Sequence, residues 1–305
     1  MGTLDDKRFL FVTGKGGVGK STVCAAQALA LASHGKRVLV VMCNAKERLS
    51  AMLGSQPVGA DVVPVSNNVW AVNINPDQAL DEFAVIVLKS RTIAKTIDSK
   101  YVRGFLRAVP GMHEWAMLGK AWWHTTEKLS SGSYKYDCVI FDAPATGHGL
   151  DMLRVPQVIS EVAPPGLLRR FADDALGLFR DTKRSAVVLV TLPEEMPTQE
   201  TIELAHALTN ELKMPIGRVI INCVLPPLFT KEEREALGLL VMTDSTSPGE
   251  VAIESGRMRA MRERVQGESL ARLSSELPVP PSYLPLLFED ACQPHAIAEL
   301  AKRLY

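Results

Sequence analysis

The nine residues Gly14 to Thr22, GKGGVGKST, stand directly between an apolar run, Phe9 to Val12, and an alanine-rich helical run, Val23 to Leu31. Strand, glycine-rich loop and helix in that order set both a local fold and a chemistry. Gly14, Gly16, Gly17 and Gly19 allow a tight loop whose backbone N–H groups, Val18 included, turn inward, and the following helix aims the positive end of its dipole at the same point. Lys20 supplies a charge for the β and γ phosphates, Ser21 a hydroxyl where Mg²⁺ sits, and Thr22 a hydroxyl for the α-phosphate. A glycine-rich turn that only joins strand to helix is the plainer alternative; strand, full motif and helix together weigh against it. The pattern predicts a nucleotide-phosphate binder that takes ATP or ADP with Mg²⁺.

Short β-rich runs recur at Phe9 to Thr13, Arg37 to Met42, Asp137 to Phe141, Ala186 to Thr191 and Arg218 to Cys223, with helical stretches between them. Such alternation predicts an α/β fold, a doubly wound and mostly parallel sheet flanked by helices, with ligand at the carboxyl ends of the strands. Val69 to Asn73 and a proline-flanked stretch near Val279 extend the sheet. From about 77 to 131 the composition is helical, without a strand, and reads as a helical insertion; the apolar stretch 164–180 could join it. The whole chain, 1–305, is expected to form a single domain around that sheet.

Three of the four tryptophans, Trp115, Trp122 and Trp123, fall in the second half of the insertion beside Met112, Met117 and Leu118. Core packing accounts for such a stripe, and so does an adaptable apolar surface for a partner. Lys plus Arg equals Asp plus Glu, 34 each, which gives no basic field for a nucleic-acid backbone, so no nucleic-acid partner is expected. No apolar run reaches the roughly 18 to 20 residues of a membrane span, and Met1 to Asp6 lacks the order of a signal peptide; a cytoplasmic protein, not an integral membrane one, is expected. Cys24, Cys43, Cys138, Cys223 and Cys292 are scattered singly and read as reduced core residues, with no CxxC or HExxH spacing to hold zinc.

Lys15 is a second lysine in the loop. It points away from its own phosphates, and a solvated surface charge is the simple account of it. The string GKGGVGKST nevertheless resembles the signature of the deviant Walker-A ATPases, which include arsenite-pump ATPases and the tail-anchored-protein targeting ATPase. That resemblance implies a P-loop NTPase fold in which Lys15 reaches across a dimer interface to the partner's nucleotide.

A second motif narrows the resemblance. Asp142 ends the run Val139 to Phe141 within DAPATGHGLDML, and a carboxylate there can order the Mg²⁺ water shell, although a strand-end Asp also serves as a helix cap. The segment resembles the DTAPTGH switch II of the arsenite-pump and tail-anchor families, in a rearranged form that looks like a bacterial branch. VIINC resembles the family strand whose asparagine reads the adenine edge, which nominates Asn222; an ordinary buried Asn at a strand end is the other reading. PSYLPLLFED resembles the loop that closes over adenine and nominates Pro285, Leu286 and Leu287. In the targeting enzymes the helical subdomain helps form a client groove, which implies an apolar client or a membrane-associated partner.

Switch I departs from the family. A segment like STDPAHSL, whose aspartate orients and polarises the attacking water, is replaced by MCNAKERL, with Asn44 at the aspartate's position and the proline and histidine gone. An amide can hydrogen-bond a water but cannot accept its proton, a change that commonly costs about two to four orders of magnitude in rate. Glu47 substitutes for the aspartate only if the loop folds differently. The catalytic candidates are therefore Lys15, Lys20, Asn44 and Asp142, with Ser21 and Asp142 as metal ligands. Two functions remain open: an ATPase that couples turnover to a client or membrane partner, and a weakly hydrolysing or non-hydrolysing subunit, in a homodimer or paired with a catalytically intact paralogue. An arsenite-pump role is disfavoured because no cysteine cluster offers thiolates to the metalloid.

Overall fold

The computed structural model describes residues 4–88, 111–144, 146–240, 247–287 and 292–304, without the side chains of 84–88 and 146–148. Eight strands form one sheet: β1 (Phe9–Thr13), β2 (Val38–Cys43), β3 (Val63–Ser66), β4 (Val69–Ile74), β5 (Cys138–Asp142), β6 (Ser185–Thr191), β7 (Ile216–Val224) and β8 (Pro281–Pro285). Their spatial order is β3-β4-β2-β5-β1-β6-β7-β8, and every neighbouring pair is parallel except β3 with β4. The expected doubly wound α/β sheet is present. The short antiparallel edge strand β3 was not expected; its sequence VPVS carries a proline, which belongs on an edge where no ladder bond is lost.

Helices cover both faces: α1 (Lys20–Ser33), α2 (Leu49–Leu53), α3 (Pro76–Leu88), α4 (Met112–Thr126), α5 (Thr146–Val162), α6 (Leu167–Phe179), α7 (Glu195–His206), α8 (Lys231–Gly238), α9 (Pro248–Glu276) and α10 (Pro294–Lys302). The central strands are continuous apolar runs because both faces are buried, and their period of two divides the residues between two cores. Leu10, Val12, Val38, Val40, Met42, Cys138 and Ile140 pack against α1 and α10, whereas Phe9, Phe11, Leu39, Val41, Val139 and Phe141 pack against α4 and α6. By that alternation Asp142, two residues beyond Ile140, faces the start of α1.

The strand ends are flush. Asp142 pairs in register with Val12 of β1 on one side and with Met42 of β2 on the other. Gly14, Cys43 and Asp142 therefore leave the sheet at nearly the same height, and three loops converge there.

In the helical layer, Met112, Trp115, Met117 and Leu118 of α4 are buried in the main core. Trp115 meets Phe83 edge to face at 6.4 Å, and Trp122 meets Phe171 of α6 at 5.8 Å, so the stretch 164–180 does pack on this helix. Trp123 alone of the three is turned outward, 49% exposed. The stripe is thus mainly core with an apolar edge, as a helix must be when its inner face reaches the sheet and its outer face does not. The part of the expected insertion from 89 to 110 lies outside the described residues.

Candidate functional site

The loop between β1 and α1 has a conformation only glycine permits at two points. At Gly14, where φ is +152°, an added Cβ would lie 2.0 Å from the carbonyl oxygen of Val190; at Gly19, where φ is +92°, it would lie 2.4 Å from Nδ2 of Asn222. Helix α1 starts at Lys20 with no side chain capping its first turn, so its leading N–H groups are free for a ligand. Gly17, Gly19, Lys20, Ser21, Thr22 and Asp142 line one hollow of about 290 Å³, together with Cys43, Ala45, Arg48, Met52, Ala143 and Pro144. Val18 is buried beneath the loop, and Gly16 is exposed at its tip.

Lys20 folds over the loop, its Nζ donating to the carbonyl oxygens of Gly14 at 3.0 Å and Lys15 at 3.1 Å. Burial lowers its pKa, and the charge of Asp142 opposes that shift. Ser21 Oγ donates to Oδ2 of Asp142 at 2.5 Å. Burial pushes the Asp142 carboxyl above the ordinary range, while the Ser21 hydroxyl and the Lys20 charge pull it back. A carboxylate desolvated in this way gains from a cation, and a hydroxyl plus a carboxylate are the hard oxygen donors that suit Mg²⁺. The chemistry that this side of the hollow can support is charge neutralisation of a polyphosphate.

A second hollow of about 620 Å³ opens on the other side of Gly17, with Leu192, Pro193, Cys223, Leu225, Met258, Met261, Val265 and Leu286 in its wall. Glu194, Arg262 and Gln266 also line it, and mostly apolar walls of this kind suit a flat heterocycle. Leu286 belongs to it, held by its N–H donating to the carbonyl oxygen of Val224 at 2.9 Å. Pro285 and Leu287 are half-buried and do not line it. Asn222, at the end of β7, donates from Nδ2 to the carbonyl oxygen of Val18 at 3.0 Å and so braces the loop from below.

Three sequence candidates stand apart from the hollow. Asn44 is exposed in a left-handed conformation, φ +46°, and does not line the phosphate hollow. Glu47 caps α2, its carboxylate accepting from Ser50 N–H at 2.7 Å and Ser50 Oγ at 2.6 Å. Lys15 is paired within its own chain, Nζ to Oε1 of Glu200 on α7 at 2.6 Å. The side chains of Thr146, Gly147 and His148 lie outside the described residues. Sequence reasoning passed over Arg48 and Glu200. Arg48 was signalled by a cation four positions after Asn44 in the segment already identified as switch I, whereas nothing in the order of residues marks Glu200, 185 positions from Lys15.

A family model described as "Anion-transporting ATPase" matches residues 7–164, a span that carries the glycine loop, switch I and Asp142. The chain belongs to the anion-transporting ATPase family. Among this family's curated members it is 29% identical over 233 residues to ATPase BagA of Mycobacterium tuberculosis, covering 73% of this chain and 67% of that protein. It is 30% identical over 243 residues to a putative arsenical pump-driving ATPase of Halobacterium salinarum, covering 73% of this chain and 36% of that protein. ATPase GET3B of Arabidopsis thaliana is 26% identical over 272 residues, covering 72% of this chain and 65% of that protein. Membership in the anion-transporting ATPases implies nucleotide binding. No helix among the described residues is long and apolar enough to cross a membrane.

Proposed function

We propose that this protein binds Mg-ATP or Mg-ADP across the two joined hollows, closes face to face into a nucleotide-gated dimer, and hydrolyses ATP slowly. The observation that carries this reading is the convergence of Lys20, Ser21 and Asp142 on a hollow to which switch I contributes no carboxylate. Ser21 and Asp142 would hold Mg²⁺, which when bound offsets the charge of the phosphate oxygens. Lys20 and the leading amides of α1 orient the polyphosphate, and Asn222 keeps the loop in shape for it. A base against Leu286, with Asn222 near its edge, fits the second hollow. The chain acts as one ATPase domain of residues 1–305, with 77–131 and 164–180 as its helical subdomain, and works in the cytoplasm.

The dimer is a homodimer or a heterodimer with a paralogous ATPase. Lys15 would cross to the partner's phosphates, which requires it to leave Glu200. A surface pair of this kind is worth about 0 to 1 kcal/mol, less than a charge-assisted contact to a phosphate, so the exchange favours the dimer once nucleotide is bound. In sedimentation velocity, ATP should shift the wild type to the dimer, and Lys15→Ala should weaken that shift while sparing nucleotide binding by the monomer. Glu200→Gln should favour association. Sedimentation indifferent to nucleotide and to both substitutions would remove the dimer from the reading.

The alternative reading, an active ATPase that handles an apolar client or a membrane-associated partner, draws on Trp123 at the open edge of α4. Acrylamide should quench a minor fraction of the tryptophan emission, Trp123→Phe should remove that fraction, and an apolar partner should shield it in one nucleotide state. Equal accessibility of Trp123 in every nucleotide state, with and without detergent micelles, counts against a client surface here. A pump-driving role like the one in the halobacterial relative's name is not favoured, because Cys24, Cys43 and Cys138 are separately buried.

A further inference from the structure

We propose that Arg48 is the residue by which this site tells a nucleoside triphosphate from a diphosphate, its guanidinium meeting the terminal phosphate on the metal side of the hollow. The inference rests on the nucleotide reading above and adds a specificity-determining residue to it. Arg48 lines the same hollow as Lys20, Ser21 and Asp142, next to Met52 and Ala45. That is the side where the metal ligands stand, opposite the apolar hollow suited to the base, and so the side where a third phosphate lies.

The segment that presents Arg48 is fixed from both directions. Upstream, Asn73 of β4 grips Ala45 twice: its Oδ1 accepts from the Ala45 N–H at 3.2 Å and its Nδ2 donates to the Ala45 carbonyl at 2.9 Å. Downstream, Glu47 is committed to Ser50, which leaves the one carboxylate adjacent to Arg48 in sequence occupied. Among the described residues no acidic side chain pairs with the Arg48 guanidinium. Two cations line this hollow, and the other one, Lys20, already bonds two loop carbonyls beside Asp142. A triphosphate brings extra negative charge to this place, and Arg48 is the cation free to meet it.

The choice of arginine also fits the absence of a water-orienting carboxylate. A guanidinium forks onto two phosphate oxygens and stays protonated at any physiological pH, so it holds the terminal phosphate without acting as a base. Switch I in this chain is thereby built to retain a triphosphate.

Calorimetric titration of the full chain with Mg-ADP and with the Mg complex of β,γ-imido-ATP, which cannot be cleaved, tests this directly. Wild type should prefer the triphosphate by about 10- to 100-fold, the scale of one charge-assisted contact. Arg48→Gln should bring the triphosphate affinity down to that for ADP and leave ADP binding and the nucleotide-free melting temperature unchanged; Arg48→Lys should recover part of the preference. If Arg48→Gln weakens both ligands equally, or neither, Arg48 does not discriminate and the proposal is overturned while nucleotide binding stands. A wild type that binds neither ligand overturns both.

Discussion

Lys20→Ala should abolish the stabilisation that Mg-ATP and Mg-ADP confer on this protein. By mass action a ligand at a hundredfold excess over its Kd adds about 2.7 kcal/mol to the folded state, which for a chain of this size is a shift of several degrees in Tm. Lys20 carries the cation whose Nζ spans the carbonyls of Gly14 and Lys15, so its loss removes the charge and loosens the cradle together. The substitution is partly buried but replaces no core contact, and the ligand-free Tm should change little. Scanning calorimetry with and without nucleotide decides the matter. A mutant that keeps the full shift would mean that the glycine loop does not hold the phosphates.

The second large effect concerns rate. Wild type should turn over ATP two to four orders of magnitude more slowly than an enzyme with a positioned water-orienting carboxylate, an estimate of roughly the size that general-base removal brings. Asn44→Asp should raise single-turnover hydrolysis at saturating ATP by about tenfold. The left-handed φ of Asn44 is one that aspartate also tolerates, so the backbone accepts the change. Full recovery is not expected, because the side chain starts outside the hollow. Asp142→Asn should act differently, by weakening Mg²⁺ binding and so raising the Mg²⁺ concentration needed, without reproducing the Asn44 effect. Wild-type turnover near one per second would assign the water to another group, and Glu47, tied to Ser50, would have to move to serve.

The sheet was readable because its evidence is local. Runs such as FLFVT and SAVVLVT are fully buried strands whose apolar character is continuous, and only β3 escaped, since four residues with a proline carry too little pattern. The loop and Asp142 were readable because each motif is contiguous and the register of β1, β2 and β5 does the assembling. What could not be read was contact between distant segments. Asn222 was nominated for a base by resemblance; the bond from its amide to the Val18 carbonyl, across 204 positions, had no signal in the order of residues. Pro285, Leu286 and Leu287 were nominated together by the resemblance of PSYLPLLFED to an adenine-closing loop; of the three, Leu286 lines the hollow, since a chain emerging from a strand turns successive side chains to different sides. Trp115 and Trp123 share one stripe of sequence, but eight residues place them about 80° apart around α4, enough to bury the first and leave the second half exposed.

The way Asn73 and Glu47 tie down the segment after β2 has an evolutionary consequence. Positions 44 to 50 form an interlocked set: the grip on Ala45 fixes where residue 44 projects, and the Glu47–Ser50 cap fixes where residue 48 projects. Substitutions within such a set are non-additive. A lineage should thus regain only part of the rate by Asn44→Asp alone, and the remainder should need coordinated change across positions 45 to 50, because a lone aspartate meets a backbone still aimed elsewhere.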